Sequence, residues 1–232
     1  KSFKDSFGTS GRLDAEYYQK KYDNFISVVH QYKHGFDKVS VCCDVKISNY
    51  KPDDNATYKY IELSNVGKSG DINGCTVGLG KELPSRARRK VVTGDVVISS
   101  IEGSLTSCAL VTREYNDALC STGFYVIQSS RINSETLLVL FKSKLMQNIL
   151  KQNCSGTILT AVNKNEFLTI ELPIIIKEKQ QQIATLIQQS FSLKKQSEHL
   201  LDVAKRAVEI AIEDNEQVAL DYIQHEVAAY ES

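Results

Sequence analysis

The sequence predicts an α+β globular domain followed by one long C-terminal helix, and three observations carry that reading. The 232 residues are 42% apolar and 24% charged, an ordinary globular composition with length for one core and an appendage. Between residues 14 and 173, short strand-like runs separated by Gly-containing turns alternate with helical periodicity. Residues 174–232 contain neither Gly nor Pro, and their apolar residues recur at heptad spacing. The expected division is therefore a globular domain over 1–173 and a helical segment over 174–232, with a mixed sheet and flanking helices in the first part.

The elements follow in order. Asp14–His30 places Tyr17, Tyr18, Tyr22, Phe25 and Val29 on one side of an amphipathic helix. Strands are expected over 57–63, 75–79, 95–101, 107–112 and 124–129, with Gly67, Gly70, Gly74, Gly94 and Gly103 in the turns between them. Tyr58, Tyr60, Phe124 and Tyr125 are expected in the core. Ser134 should cap one helix running from Glu135 to about Gln152, with Leu137, Leu138, Phe141, Leu145 and Ile149 as its apolar face. A strand over 167–172 should end at Pro173.

The last segment predicts a continuous helix from about Lys177 to Tyr230, roughly 80 Å long. Ile183, Ser190, Ser197, Ala204 and Ala211 form one register of its seam; Leu186, Leu193, Leu200 and Ala207 form the other. One domain cannot bury such a rod, so it should form an antiparallel coiled coil with a helix of another molecule or of a missing piece, the alternative being a long helix folded back on its own domain.

The charge is uneven. The chain has 28 basic and 28 acidic residues, but residues 196–232 hold two basic against nine acidic ones, which leaves the body basic. The positive charge clusters in Lys81–Lys90 and again in Lys142, Lys144, Lys151 and Lys164. No apolar run is long enough to cross a membrane, and no secretory leader is expected. Cys42, Cys43, Cys75, Cys108, Cys120 and Cys154 lack CxxC spacing, so disulfides and zinc are not expected and a cytoplasmic setting is.

Motifs for chemistry fail on inspection. Asn65–Ser69 looks like a phosphate loop, but Glu62 stands where the first Gly is needed. His30 and His34 have zinc-protease spacing without the Glu or a third ligand. Asp44-Val-Lys46 lacks the preceding acid of a nuclease metal site, and Gly78-Leu-Gly80 lacks the third Gly of a dinucleotide site. No Asn-Pro-Pro or Asp-Pro-Pro occurs, so an autonomous adenine methyltransferase is excluded. The chain is expected to recognise rather than catalyse, with no catalytic or metal-binding residue.

The order of several segments resembles a known family. Arg12-Leu-Asp-Ala-Glu-Tyr-Tyr18 opens the domain, Tyr58–Leu63 gives an early strand, and Arg89–Ser99 follows a basic loop. Ser155-Gly-Thr157 follows a helix, and Glu171-Leu-Pro173 leads through Lys179–Ile183 into the long helix. This set resembles the specificity subunits of type I restriction-modification systems, and the recognition domains of fused restriction-methylation enzymes. The junction departs from the usual pattern, reading Leu-Pro-Ile-Ile-Ile-Lys before Glu178.

The resemblance implies a target recognition domain that reads one half of a bipartite site in double-stranded DNA. It also implies a helix that sets the spacing by pairing with a second helix. Family members carry two of each, and this chain has one, so it is expected to be half a subunit: a piece of a longer chain, or a natural half that dimerises. Methyltransferase subunits would dock on it, and through them the restriction and translocation subunit. S-adenosylmethionine, ATP and Mg²⁺ would sit on those partners and none on this chain. A coiled-coil scaffold that binds protein is the rival reading from another class.

The candidate DNA-binding residues are Lys81, Ser85, Arg86, Arg88, Arg89 and Lys90, read as a loop before a strand. Their ordinary alternative is a solvated surface, or pairing with the acidic tail. Asn65, Lys68 and Ser69 lie on a Gly-rich loop that contacts DNA or is a plain turn. Ser104, Thr157 and Lys164 are further loop candidates.

Overall fold

The computed structural model describes residues 11–156 and 160–231 and places them in two compact units, 1–184 and 185–232. Thr157 lies outside the described residues. The first unit is built on two four-stranded sheets.

One sheet has the order β2(Asp44–Lys46), β9(Phe124–Gln128), β6(Val96–Ser99), β7(Cys108–Leu110), all antiparallel. The other has the order β4(Thr76–Leu79), β3(Thr57–Ile61), β8(Leu119–Ser121), β5(Ala87–Lys90), with β3 and β8 parallel. Alternation along a strand sends successive side chains to opposite faces. Val97, Phe124 and Val126 thus join Ile61 and Cys120 of the second sheet in one buried cluster. Ile98 and Tyr125 face the other way, where Tyr125 stacks on Phe167 at 4.0 Å and Phe141 on Phe167 at 5.9 Å. The central strands read as continuous apolar runs because both faces are covered.

The first unit also holds α1(Lys20–His30), α2(Val39–Cys42), α3(Ser134–Lys142), α4(Lys144–Gln152) and α5(Lys164–Thr169). Its short strand pairs are β1(Phe36–Lys38) with β12(Glu171–Pro173), and β10(Cys154–Ser155) with β11(Ala161–Val162). The expected core aromatics Tyr60, Phe124 and Tyr125 are buried, while Tyr58 is half-buried and shares a hydrogen bond with Tyr50.

Four local expectations are corrected. The first helix begins at Lys20, not near Asp14. The single helix over 135–152 is two, because Ser143 ends α3 and its hydroxyl accepts from Met146 N to start α4; the cap of α3 is Asn133, not Ser134. The first part of the expected strand over 167–172 is helix α5, capped by Asn163, which accepts from Glu166 N at 3.0 Å. The run Arg86–Lys90, read as a loop, contains edge strand β5. Ser and Asn compete well for backbone N–H groups, and apolar periodicity does not register that competition.

The long helix is α6(Lys177–Glu213), 37 residues. Gln180 is buried at its first turn and anchors it: Asn133 N donates to its Oε1 at 2.7 Å, and its Nε2 donates to the Arg131 carbonyl at 2.9 Å. The expected continuity to Tyr230 fails at Asp214–Asn215. Asn215 caps α7(Glu216–Glu231) by accepting from Val218 N at 3.1 Å. His199 and Tyr230 stack at 4.7 Å, though on one straight helix their separation would be about 46 Å, so α7 folds back along α6.

The stripe this reversal buries is Val203, Ala207 and Ile210, with Ala219 from α7. Ala207 is the only residue of the expected seam in that stripe. Leu186, Ser190, Leu193, Ser197, Leu200 and Ala204 are exposed, and Ile183 and Ala211 are half-buried. The helix therefore finds a partner for its last turns in its own chain, where another molecule or a missing piece was expected to supply one.

Candidate nucleic-acid interface

The basic run lies along one margin of the second sheet. β5 pairs with β8, and the register shifts between Ala87 and Arg89, leaving Arg88 at a bulge. Arg88 Nε donates to the Ser85 carbonyl at 2.9 Å, and the Arg88 carbonyl accepts from Tyr50 N at 2.6 Å. A segment before β3 thus covers an edge that would otherwise be open.

The cations of this run divide into committed and uncommitted groups. Arg89 Nη1 donates to the Lys46 carbonyl at 2.9 Å. Lys90 pairs with Asp117 at 2.9 Å, and that carboxylate raises the pKa of Lys90. Lys46 pairs at 2.8 Å with Asp95, whose carboxylate is fully buried. Lys81, Ser85 and Arg86 are exposed, and among the described residues their side chains make no hydrogen bond or ion pair. The β4–β5 turn therefore presents Lys81 and Arg86 outward, with Arg88 beside them.

The other candidates do not gather there. The loop of Asn65, Lys68 and Ser69 follows the C-terminal end of β3, whereas the turn 80–86 follows the end of β4 that pairs with Thr57. These loops lie at opposite ends of one hairpin, about a strand length of 16 Å apart. Asn65 is spent locally, since its Oδ1 accepts from Glu62 N at 2.9 Å. Lys68 and Ser69 are exposed at a tip closed by Gly70, whose φ of +91° suits glycine. Ser104 is turned inward, 2.8 Å from Ser99 Oγ. Lys164 is exposed at the start of α5.

Several groups with catalytic promise are engaged structurally. His30 bonds to Glu171 at 2.6 Å and stacks on Phe36 at 4.4 Å. All six cysteines are free, and burial pushes the thiols of Cys108, Cys120 and Cys154 up to about 12, out of the nucleophilic range. No cluster of potential metal ligands occurs among the described residues, and no helix among them is long and apolar enough to cross a membrane. Among the described residues, Lys81 and Arg86 are exposed cations whose side chains make no hydrogen bond or ion pair, and such groups suit an anion.

Residues 40–202 match the family model of the type I restriction modification DNA specificity domain. The chain belongs to that family. Solved structures agree on the fold of this specificity domain. One comes from a study of the complex assembly and conformational transition of the type I R-M system: TM-score 0.60, 24% identity, covering 75% of this chain and 46% of that one. Another is the HsdS subunit from Thermoanaerobacter tengcongensis: TM-score 0.56, 23% identity, covering 76% of this chain and 48% of that one. The specificity domain thus spans about half the length of the structures it matches. No curated protein sequence matches it.

Sequence reasoning missed the segment that covers the β5 edge, residues 47–56. Its signal was present as a polar, turn-rich run, Ser48-Asn-Tyr-Lys-Pro-Asp-Asp-Asn55, between two strands.

Proposed function

We infer that this specificity domain reads one half of a bipartite target in double-stranded DNA and has no catalytic role of its own. The observation that carries the reading is the family match over residues 40–202. The free cations of the β4–β5 turn support it, since Lys and Arg on phosphates provide most DNA affinity while side chains at base edges provide specificity. Lys81, Ser85, Arg86 and Arg88 form the main contact, and Lys68 and Ser69 a second one at the far end of the hairpin. Thr157 and Lys164 belong to the same proposal. Arg89 and Lys90 hold the platform and meet DNA with the valences their partners leave.

Methyltransferase subunits dock on the domain and bring S-adenosylmethionine. The restriction subunit brings ATP and Mg²⁺. The exposed stripe Leu186, Ser190, Leu193, Ser197 and Leu200 on α6 pairs with a helix of the second half, or of a second copy, and sets the spacing between half-sites. The test is co-expression with the cognate methyltransferase subunits, followed by sequencing of methylated sites. A single bipartite motif is expected, and charge reversal at Arg86 and Arg88 should abolish it; an unchanged methylation pattern in that variant would refute the assignment of the turn.

A further inference from the structure

Between β2 and β3 the chain runs as a strap over 47–56 that belongs to no strand. Its backbone is fixed at several points. Tyr50 N donates to the Arg88 carbonyl at 2.6 Å, the hydroxyls of Tyr50 and Tyr58 lie 3.1 Å apart, and Asp53 N donates to Tyr58 Oη at 3.0 Å. Gly80 approaches so closely that a Cβ there would stand 2.0 Å from the Asp53 carbonyl oxygen. The outward side chains are not fixed. Ile47, Ser48, Asn49 and Lys51 are exposed, and among the described residues Ser48, Asn49 and Lys51 make no side-chain hydrogen bond or ion pair. A pinned backbone with idle polar groups binds with little ordering cost.

The strap also contributes residues to the lining of two grooves. One groove is lined by the strap with Lys46, Arg89 and Lys90. The other is lined by Lys51, Lys81 and Arg88, and also by Asp54. Exposed polar side chains beside the cations Lys51, Lys81 and Arg88 suit the DNA major groove, where base edges form the floor and phosphates the two walls. Asp53 and Asp54 follow directly and would repel phosphate, and Asp54 shares the second groove, so the part of the strap suited to DNA ends at Lys51. Within it, Asn49 offers the donor–acceptor pair that fits adenine N7 and N6, and exposed Ile47 suits a thymine methyl.

We propose that the exposed segment Ile47–Lys51 is a base-reading element of this domain, with Asn49 reading an adenine and Lys51 meeting phosphate. This rests on the DNA-recognition reading above and adds a determinant to it. The test uses the full specificity chain co-expressed with its methyltransferase subunits, with methylated sites mapped by sequencing. Asn49→Ala should leave methylation active but relax one adenine-demanding position of the half-site, by roughly tenfold or more in preference. Asn55→Ala, beyond the acids, should leave the motif intact.

Lys51→Ala should weaken binding to all sequences alike and lower the salt dependence by about one phosphate contact. An Asn49→Ala motif identical to the parent's at every position overturns the proposal while the DNA-recognition reading stands. A parent complex with no sequence-specific methylation overturns both.

Discussion

Strands β6 and β9 are covered on both faces, and every side chain from Val96 to Ser99 is buried. Helix α6 beyond Thr185 is covered along one stripe, Val203, Ala207 and Ile210, while Leu186 and Leu193 stay 64% exposed. The contrast teaches where each part gets its stability. Full burial of a Leu or Phe is worth about 1.5–3 kcal/mol, and the sheets collect it from one another. The helices collect a fraction of it, so the chain alone leaves the stripe from Leu186 to Leu200 unused. The two sheets bury their facing apolar residues against each other; the helical unit carries surface suited to a further helix.

Substitutions can break this contrast or sharpen it. The largest effect is expected at Phe124, fully buried between the sheets. Phe124→Ala should cost about 3–5 kcal/mol in denaturant unfolding. Next is Lys46→Met, which leaves the buried Asp95 carboxylate without its ion pair. A loss of about 3 kcal/mol is expected, largely recovered when Asp95 is replaced as well. Recovery absent from that double variant would mean the pair itself, not the orphaned charge, holds β2 to β6.

In the helices, Ile210→Ala should cost about 2 kcal/mol, because its stripe is covered by α7. Leu193→Ser on the exposed stripe should change the stability of the isolated chain by less than about 0.5 kcal/mol. The same change should weaken self-association in sedimentation runs. Equal costs at Ile210 and Leu193 would erase the distinction between the two stripes.

The smallest effect concerns acid. Hydrogen bonding from Arg12 holds the Asp14 carboxyl below its usual pKa. The folded state then binds this proton less readily than the unfolded chain does. The contribution is complete above the unfolded value of about 3.9 and disappears as pH falls through the depressed one. Asp14→Asn should lower stability slightly at neutral pH, where the contribution is complete, flatten that part of an acid titration of stability, and make no difference below the depressed pKa.

The strands around Tyr60, Val97, Cys108 and Phe124 were legible as sequence because apolar runs between Gly turns leave few alternatives. The apolar face of α3 and α4 was legible too, but not their division at Ser143, since a hydroxyl that caps looks like any other polar residue. The basic run at 81–90 stood out by charge density. Its sorting into free Lys81 and Arg86 and committed Arg89 and Lys90 depends on Lys46 and Asp117, which lie far away in sequence.

By itself the sequence determined composition-level facts and local ones: an α+β body, a breaker-free helical end, a basic body with an acidic tail, and the segments that identify the family. These depend on residue type and short-range spacing, which folding does not alter. Only the tertiary structure decided that α7 returns along α6, that the two candidate loops stand at opposite ends of one hairpin, and that residues 47–56 close the β5 edge. Each of those rests on contacts between residues distant in the chain, such as His199 with Tyr230 or Tyr50 with Arg88, and pairings of that kind leave no local pattern to read.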